Sequence, residues 1–178
     1  MEEDGVVFGQ IVALLEQNGF SFSVLRHGFV HSAEEAARVR GTRLDEAAKA
    51  LVLKGRAGRG RENNGGVDAG VLFFQCVVSG HLRLSLRKVK EVLGMKNVSL
   101  APPEDVRRVT GLEVGTIPPF GGLFRLPVYV DRSVLARKYV VFSAGSHYVS
   151  VRMRSSDFLR ACGGLVVDIA EEVVKEKG

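Results

Sequence analysis

The sequence predicts a single α/β (α+β) domain, with a central mixed, largely antiparallel sheet flanked by helices. Three observations carry that prediction. Two apolar runs, AAKALVLK (Ala47 to Lys54) and VLFFQCVV (Val71 to Val78), suit central strands covered on both faces. Helical and strand patterns alternate along the chain with no repeat and no second domain. At 178 residues, 46% hydrophobic and 25% charged, the chain can bury one core without disulfides or metal.

Taken in order, Val7, Ile11, Leu14 and Leu15 share one face of a helix over 6–17, which Asn18-Gly19 ends. Phe20 to Leu25 alternates like a half-buried strand. Ser32 and Glu35 have capping-box spacing for a short helix that Gly41 stops. After the strand at 47–54, residues 55–70 (GRAGRGRENNGGVDAG) read as a flexible loop leading to its partner strand. Ser85 caps a helix through Leu93, with Gly94 beyond it, and Val98 to Leu100 is a short strand. Pro102-Pro103 opens a helix ending at Thr110-Gly111. GTIPPFGG, Gly115 to Gly122, can only be a stiff turn. Strands follow at 127–130, 139–143 and 148–153, then a helix capped by Ser155 or Ser156 through Cys162. A short strand near 165–168 and a charged tail close the chain.

Composition excludes several classes. No stretch nears the ~20 apolar residues of a membrane span, and the acidic opening MEEDG is unlike a signal peptide, so a cytoplasmic location is expected. Cys76 and Cys162 read as reduced core thiols. The four histidines, His27, His31, His81 and His147, have no close pairing and no CxxC, so neither metal nor cofactor is expected. No GxSxG elbow is present, Ser146 in AGSHY lacking that frame. A net charge of +5 and a pI near 9.5 lean toward an anionic partner. The cations cluster, as at Arg83/Arg87/Lys88/Lys90, Arg107/Arg108, Arg137/Lys138 and Arg152/Arg154.

Packing explains three features poorly. Lys49 stands among alanines at the start of a buried strand, where it must snorkel to an edge or face an anion. GTIPPFGG fixes backbone amides that could hold an anion or a carbonyl oxygen, although a rigid corner would look the same. Ser143-Ala144-Gly145-Ser146 offers close backbone approach to a ligand, or an ordinary hairpin turn.

In this order, the segments resemble the YbaK and prolyl-tRNA synthetase insertion-domain family of aminoacyl-tRNA editing enzymes. The likeness runs from about Leu14 to Asp168. It is carried by SAEEAA, AKALVLK, LSLRKVKEVLG, PPEDVRRVTGLEVGTIPPFG, LPVYVD and VVFSAGS. It implies one compact domain over residues 1–178 and hydrolysis of the ester joining an amino acid to the terminal ribose of tRNA. The implied partners are tRNA and, in some settings, an aminoacyl-tRNA synthetase. It assigns Lys49 to the phosphate or ribose of the terminal adenosine. It assigns the loop of Gly115, Thr116, Ile117, Pro118 and Pro119 to the substrate carbonyl. Ser143 and Gly145 face that loop, Ser150 helps choose the amino acid, and His27, Phe29 and His31 line the pocket mouth. Serine at position 32 replaces the family's more usual threonine, which keeps the helix cap.

An aminoacyl ester is already activated, so a positioned water suffices without a nucleophilic side chain. The expected mechanism has the Gly115–Pro119 amides stabilise the oxyanion, Lys49 anchor the nucleotide and a substrate hydroxyl help activate water. The expected substrate is a small residue on tRNA for proline, alanine first, with cysteine or serine behind. The rival readings are a non-catalytic tRNA-binding or scaffold subunit of a synthetase complex, and a hydrolase of free aminoacyl compounds.

Overall fold

The computed structural model describes residues 5–58 and 70–174. Each helix forms where amphipathic spacing meets a local stop signal. Helix α1, Val6–Gln17, buries Ile11 and Leu15, and α2, Ala33–Arg40, starts at Ser32, whose side chain accepts the Glu35 N–H. Glu35 reaches back to accept the His31 N–H at 2.9 Å, and Gly41 closes the helix in the left-handed conformation at φ 67°. Helices α3 (Leu86–Leu93) and α4 (Pro103–Thr110) end at Gly94 and Gly111 by the same device.

The principal sheet has five strands: β2 (Ala48–Ala57), β3 (Leu72–Ser79), β5 (Met95–Leu100), β6 (Val128–Asp131) and β9 (Leu165–Val167). Their order is β5-β2-β3-β6-β9, antiparallel across β5-β2-β3 and parallel across β3-β6-β9. A three-stranded antiparallel sheet stands beside it, in the order β1 (Phe22–Arg26), β8 (Val149–Arg154), β7 (Tyr139–Ser143). The two meet at a parallel bridge between Ala47 and Val141.

Both faces of the principal sheet are covered at β2 and β3, which is why these strands lack alternation in sequence. Phe74, Cys76 and Val78 of β3 pack on Leu53, Val89, Met95 and Ile169. Val77 faces the opposite way, into the core of α1, α5 (Ser155–Cys162) and the smaller sheet. Phe120, Phe142 and Phe158 meet there at 5.3–6.0 Å between ring centroids. Burying each such ring stabilises the fold by about 2–3 kcal/mol.

Several expectations need correction. Strand β2 continues to Ala57, so the segment 55–70 is not loop throughout. Pairing with β5 up to Met95 holds its end, and residues 59–69 lie outside the described residues. Helix α5 is not capped by Ser155 or Ser156: Arg154 is its N-cap, without a side-chain bond. The Ser155 hydroxyl instead donates to the Arg137 carbonyl at 2.5 Å, tying the helix start to the chain before β7. The segment read as a charged tail holds a strand, β10 (Ala170–Glu172), antiparallel to β4 (Leu82–Leu84). Buried Asp131 anchors it, its carboxylate accepting the Ile169 and Ala170 N–H groups at 2.7 and 2.8 Å.

Candidate active site

The sheet junction leaves a cavity of 330 Å³, at the lower end of the usual ligand-pocket range. Its floor is the start of β2 and the end of β7. Helix α2 forms one wall and Gly115 with Ile117 another. Alanines at 47, 48, 50 and 101 keep the interior open while leaving it apolar.

Lys49 enters from β2, opposite Val78 of β3. It lines the cavity and its Nζ donates to the Leu82 carbonyl. Burial pulls its pKa down, while the Glu34 carboxylate on the same cavity pulls it up.

The 115–120 loop is held in three ways. Gly115 sits at φ 92°, open to glycine and strained for other residues. The Thr116 hydroxyl donates to the Glu113 carbonyl at 2.8 Å, and the Thr116 carbonyl accepts the Gly145 N–H at 3.0 Å, joining this loop to the turn after β7. Fully buried Gln75 of β3 donates to the Pro118 carbonyl and accepts the Gly121 N–H, both at 2.9 Å. Pro118 and Pro119 have no N–H, and the Thr116 N–H is spent on the Glu113 carbonyl at 3.1 Å. That leaves Gly115 and Ile117, both on the cavity wall, as the amides of this segment that could meet an oxyanion.

Of the residues singled out in sequence, Lys49, Gly115, Ile117, Ser143 and His31 therefore share the cavity. Thr116 and Gly145 face a neighbouring cleft with His147 and Tyr148. Pro118 and Pro119 are buried behind the wall. Ser150, wholly buried, pairs with His27: Ser150 Oγ lies 2.8 Å from His27 Nε2, and His27 Nδ1 lies 2.9 Å from the Gly28 carbonyl. Because that carbonyl can only accept, Nδ1 carries the proton and Nε2 accepts from the serine. Burial lowers the His27 pKa, favouring this neutral form. Phe29, exposed, stacks edge-on to His31 at 4.5 Å and also meets His147 and Tyr148, giving an aromatic rim beside the cavity. Cys76 is wholly buried with its thiol pushed up to about 12, which rules out a thiolate nucleophile there.

Sequence reasoning missed two residues. Gln75 had a visible signal, an amide inside an apolar run. Arg40, at the end of α2 and on the cavity wall, had none.

Residues 27–161 match the model of the aminoacyl-tRNA editing domain. The chain belongs to that family. Relatives of the editing-domain chain include the multifunctional Ser/Thr-tRNA deacylase ProXp-y of Escherichia coli K12, 32% identical over 161 residues and 90% of each protein. A proline–tRNA ligase of Thermosipho melanesiensis is 24% identical over 78% of this chain and 22% of the ligase. Among solved structures, a proposed trans-editing enzyme for prolyl tRNA synthetase superposes with a TM-score of 0.75 at 28% identity, covering 94% of this chain and 98% of that one. The fold of this editing domain is thus the mixed α/β fold expected. No described helix is long and apolar enough to cross a membrane.

Proposed function

We propose that this chain is an aminoacyl-tRNA deacylase that releases a small amino acid from a mischarged tRNA. The observation that carries the reading is the convergence of Lys49, the Gly115 and Ile117 amides and a small-residue floor on one cavity. Lys49 anchors the terminal nucleotide, the two amides meet the oxyanion, and a ribose hydroxyl helps deliver water. Removing one such donor typically costs on the order of 10²–10³ in rate.

The exposed Phe29 beside His31 and Tyr148 supports an RNA substrate, because single-stranded ends are gripped by stacking bases on aromatic rings. The free-aminoacyl reading has no use for that rim. A pure scaffold has no use for the buried Gln75 clamp that fixes the loop.

The amino acid is small because the 330 Å³ cavity must take the terminal nucleotide as well as the aminoacyl group. The sequence puts alanine first, with cysteine or serine behind. Likeness to a Ser/Thr-tRNA deacylase adds threonine and brings serine forward, and the Ser143 hydroxyl offers a partner for a substrate hydroxyl. Hydrogen-bonded recognition discriminates more strongly than the ~1–3 kcal/mol that one methylene provides.

The test is release of serine, threonine, alanine and cysteine from charged tRNA, with prolyl-tRNA for proline as control. Release of a small residue with proline spared supports the proposal. Binding of tRNA with no release from any of them would leave the scaffold reading in its place.

A further inference from the structure

Arg40 is the last residue of α2, and its side chain reaches the cavity wall. Its Nε is buried without a hydrogen-bond partner among the described residues. Burial alone pushes its pKa down to about 10, with no carboxylate offsetting the loss, so the guanidinium is still charged at neutral pH. A buried guanidinium nitrogen without an acceptor is costly, and such an orphan in a cavity wall calls for an explanation, a bound anion among them.

The bland account, a cation at a helix C-terminus, does not cover this placement. Gly41 already caps the helix, its N–H donating to the Ala37 and Arg38 carbonyls. Nearby carboxylates are also engaged: Asp45 with Arg43 and Arg137, and Glu46 with Arg152. Glu34 shares the cavity but acts on Lys49.

We propose that Arg40 is a phosphate-binding residue, taking the phosphate of the terminal nucleotide while Lys49 holds its ribose side. This deepens the deacylase reading and rests on it. A guanidinium suits the role because its planar fork can hold two phosphate oxygens at once, which an ammonium cannot. The nucleotide then brings the acceptors the site lacks, and its ester lies toward Gly115 and Ile117.

The experiment titrates the protein with adenosine 5′-monophosphate and with adenosine by calorimetry, in wild type, Arg40→Gln and Arg40→Lys. Wild type should prefer the monophosphate by about tenfold or more, as expected for charge-assisted hydrogen bonds. Arg40→Gln should erase that preference and leave adenosine binding unchanged. Arg40→Lys, which keeps the charge but loses the fork, should fall between, and it carries the test should the glutamine variant not fold. An equal loss of both ligands in Arg40→Gln, an unchanged preference, or a wild type that binds no monophosphate would each overturn the assignment. Deacylation assays on the same proteins separate the two readings. Turnover by wild type without phosphate discrimination sinks Arg40 alone. Discrimination without turnover of any charged tRNA sinks the deacylase reading alone.

Discussion

Arg40 and Arg43 stand close together at the end of α2 and live in opposite circumstances. Arg43 is exposed, and its Nε and Nη2 donate to Asp45 at 2.9 and 2.8 Å. Arg40 is half-buried, and its Nε meets no acceptor. The contrast extends to the wider surface. Arg83 pairs with Glu171, Arg87 with Glu91, Arg107 with Glu113, and Asp105 takes both Lys54 and Arg108. The cation clusters that leaned toward an anionic partner are thus largely answered by local carboxylates. The cavity cations, Lys49 and Arg40, have no described carboxylate within salt-bridge distance. Within the pocket, Lys49 and Arg40 are the cations that a ligand could meet.

The most severe way to break that contrast is Lys49→Met. It keeps the length of the stem in β2 and removes the charge. Deacylation should fall on the order of a hundredfold, as for loss of an electrostatic clamp. The structural cost is one bond to the Leu82 carbonyl, about 1 kcal/mol or roughly 2–4 °C in melting temperature. Full deacylation by the variant would remove Lys49 from the site.

Gln75→Leu sharpens the comparison from the other side, because Gln75 serves the site without touching the cavity. Its loss leaves the Pro118 carbonyl and Gly121 N–H unpaired in the core, at about 1–3 kcal/mol each. Gly121 packs closely on β6, since an atom at its Cβ position would lie 2.7 Å from Val128. Melting should drop clearly, and deacylation should fall roughly tenfold through misplacement of the 115–117 amides. Adenosine monophosphate binding should change little. A variant that melts like wild type would show the clamp to be dispensable.

Most of this architecture was legible. Caps and stops at Ser32, Gly41, Ser85, Gly94 and Gly111 are local chemistry, so α2 to α4 fall where the sequence puts them. The paired runs at β2 and β3 were plain because burial on both faces leaves an unbroken apolar stretch. Strands β4 and β10 escaped because three residues carry no periodicity and because β10 depends on Asp131, far away in sequence. Ser155 misled because its hydroxyl serves a tertiary bond that no local pattern announces. In the site, Lys49 and the 115–119 loop stood out by composition. The division of that loop into Gly115 and Ile117 on the cavity and Thr116 turned away is set by hydrogen bonds to Glu113 and Gly145. Arg40 was invisible, since nothing at the end of a polar helix distinguishes a buried arginine from a solvated one.

The smallest expected effect belongs to the paired region and has a pH signature. Asp45 is held well below the usual carboxylate range, first by hydrogen bonds from Arg43 and then by Arg137. A carboxylate whose folded pKa lies below its unfolded value stabilises the fold above the unfolded pKa, about 4. That contribution is lost only as the pH falls through the folded pKa. Asp45→Asn should therefore melt a few degrees below wild type at pH 6 to 8, with a gap that does not vary across that window. Below about pH 4 the gap should close as the wild-type carboxylate takes up a proton. Deacylation at neutral pH should stay within about twofold, since Asp45 does not line the cavity. A gap that widened toward acid would mean that Asp45 is not held by these arginines in solution. A large loss of activity would mean that Arg43 or Arg137, once released, reaches the substrate, and the separation of this paired cluster from the pocket would then fail.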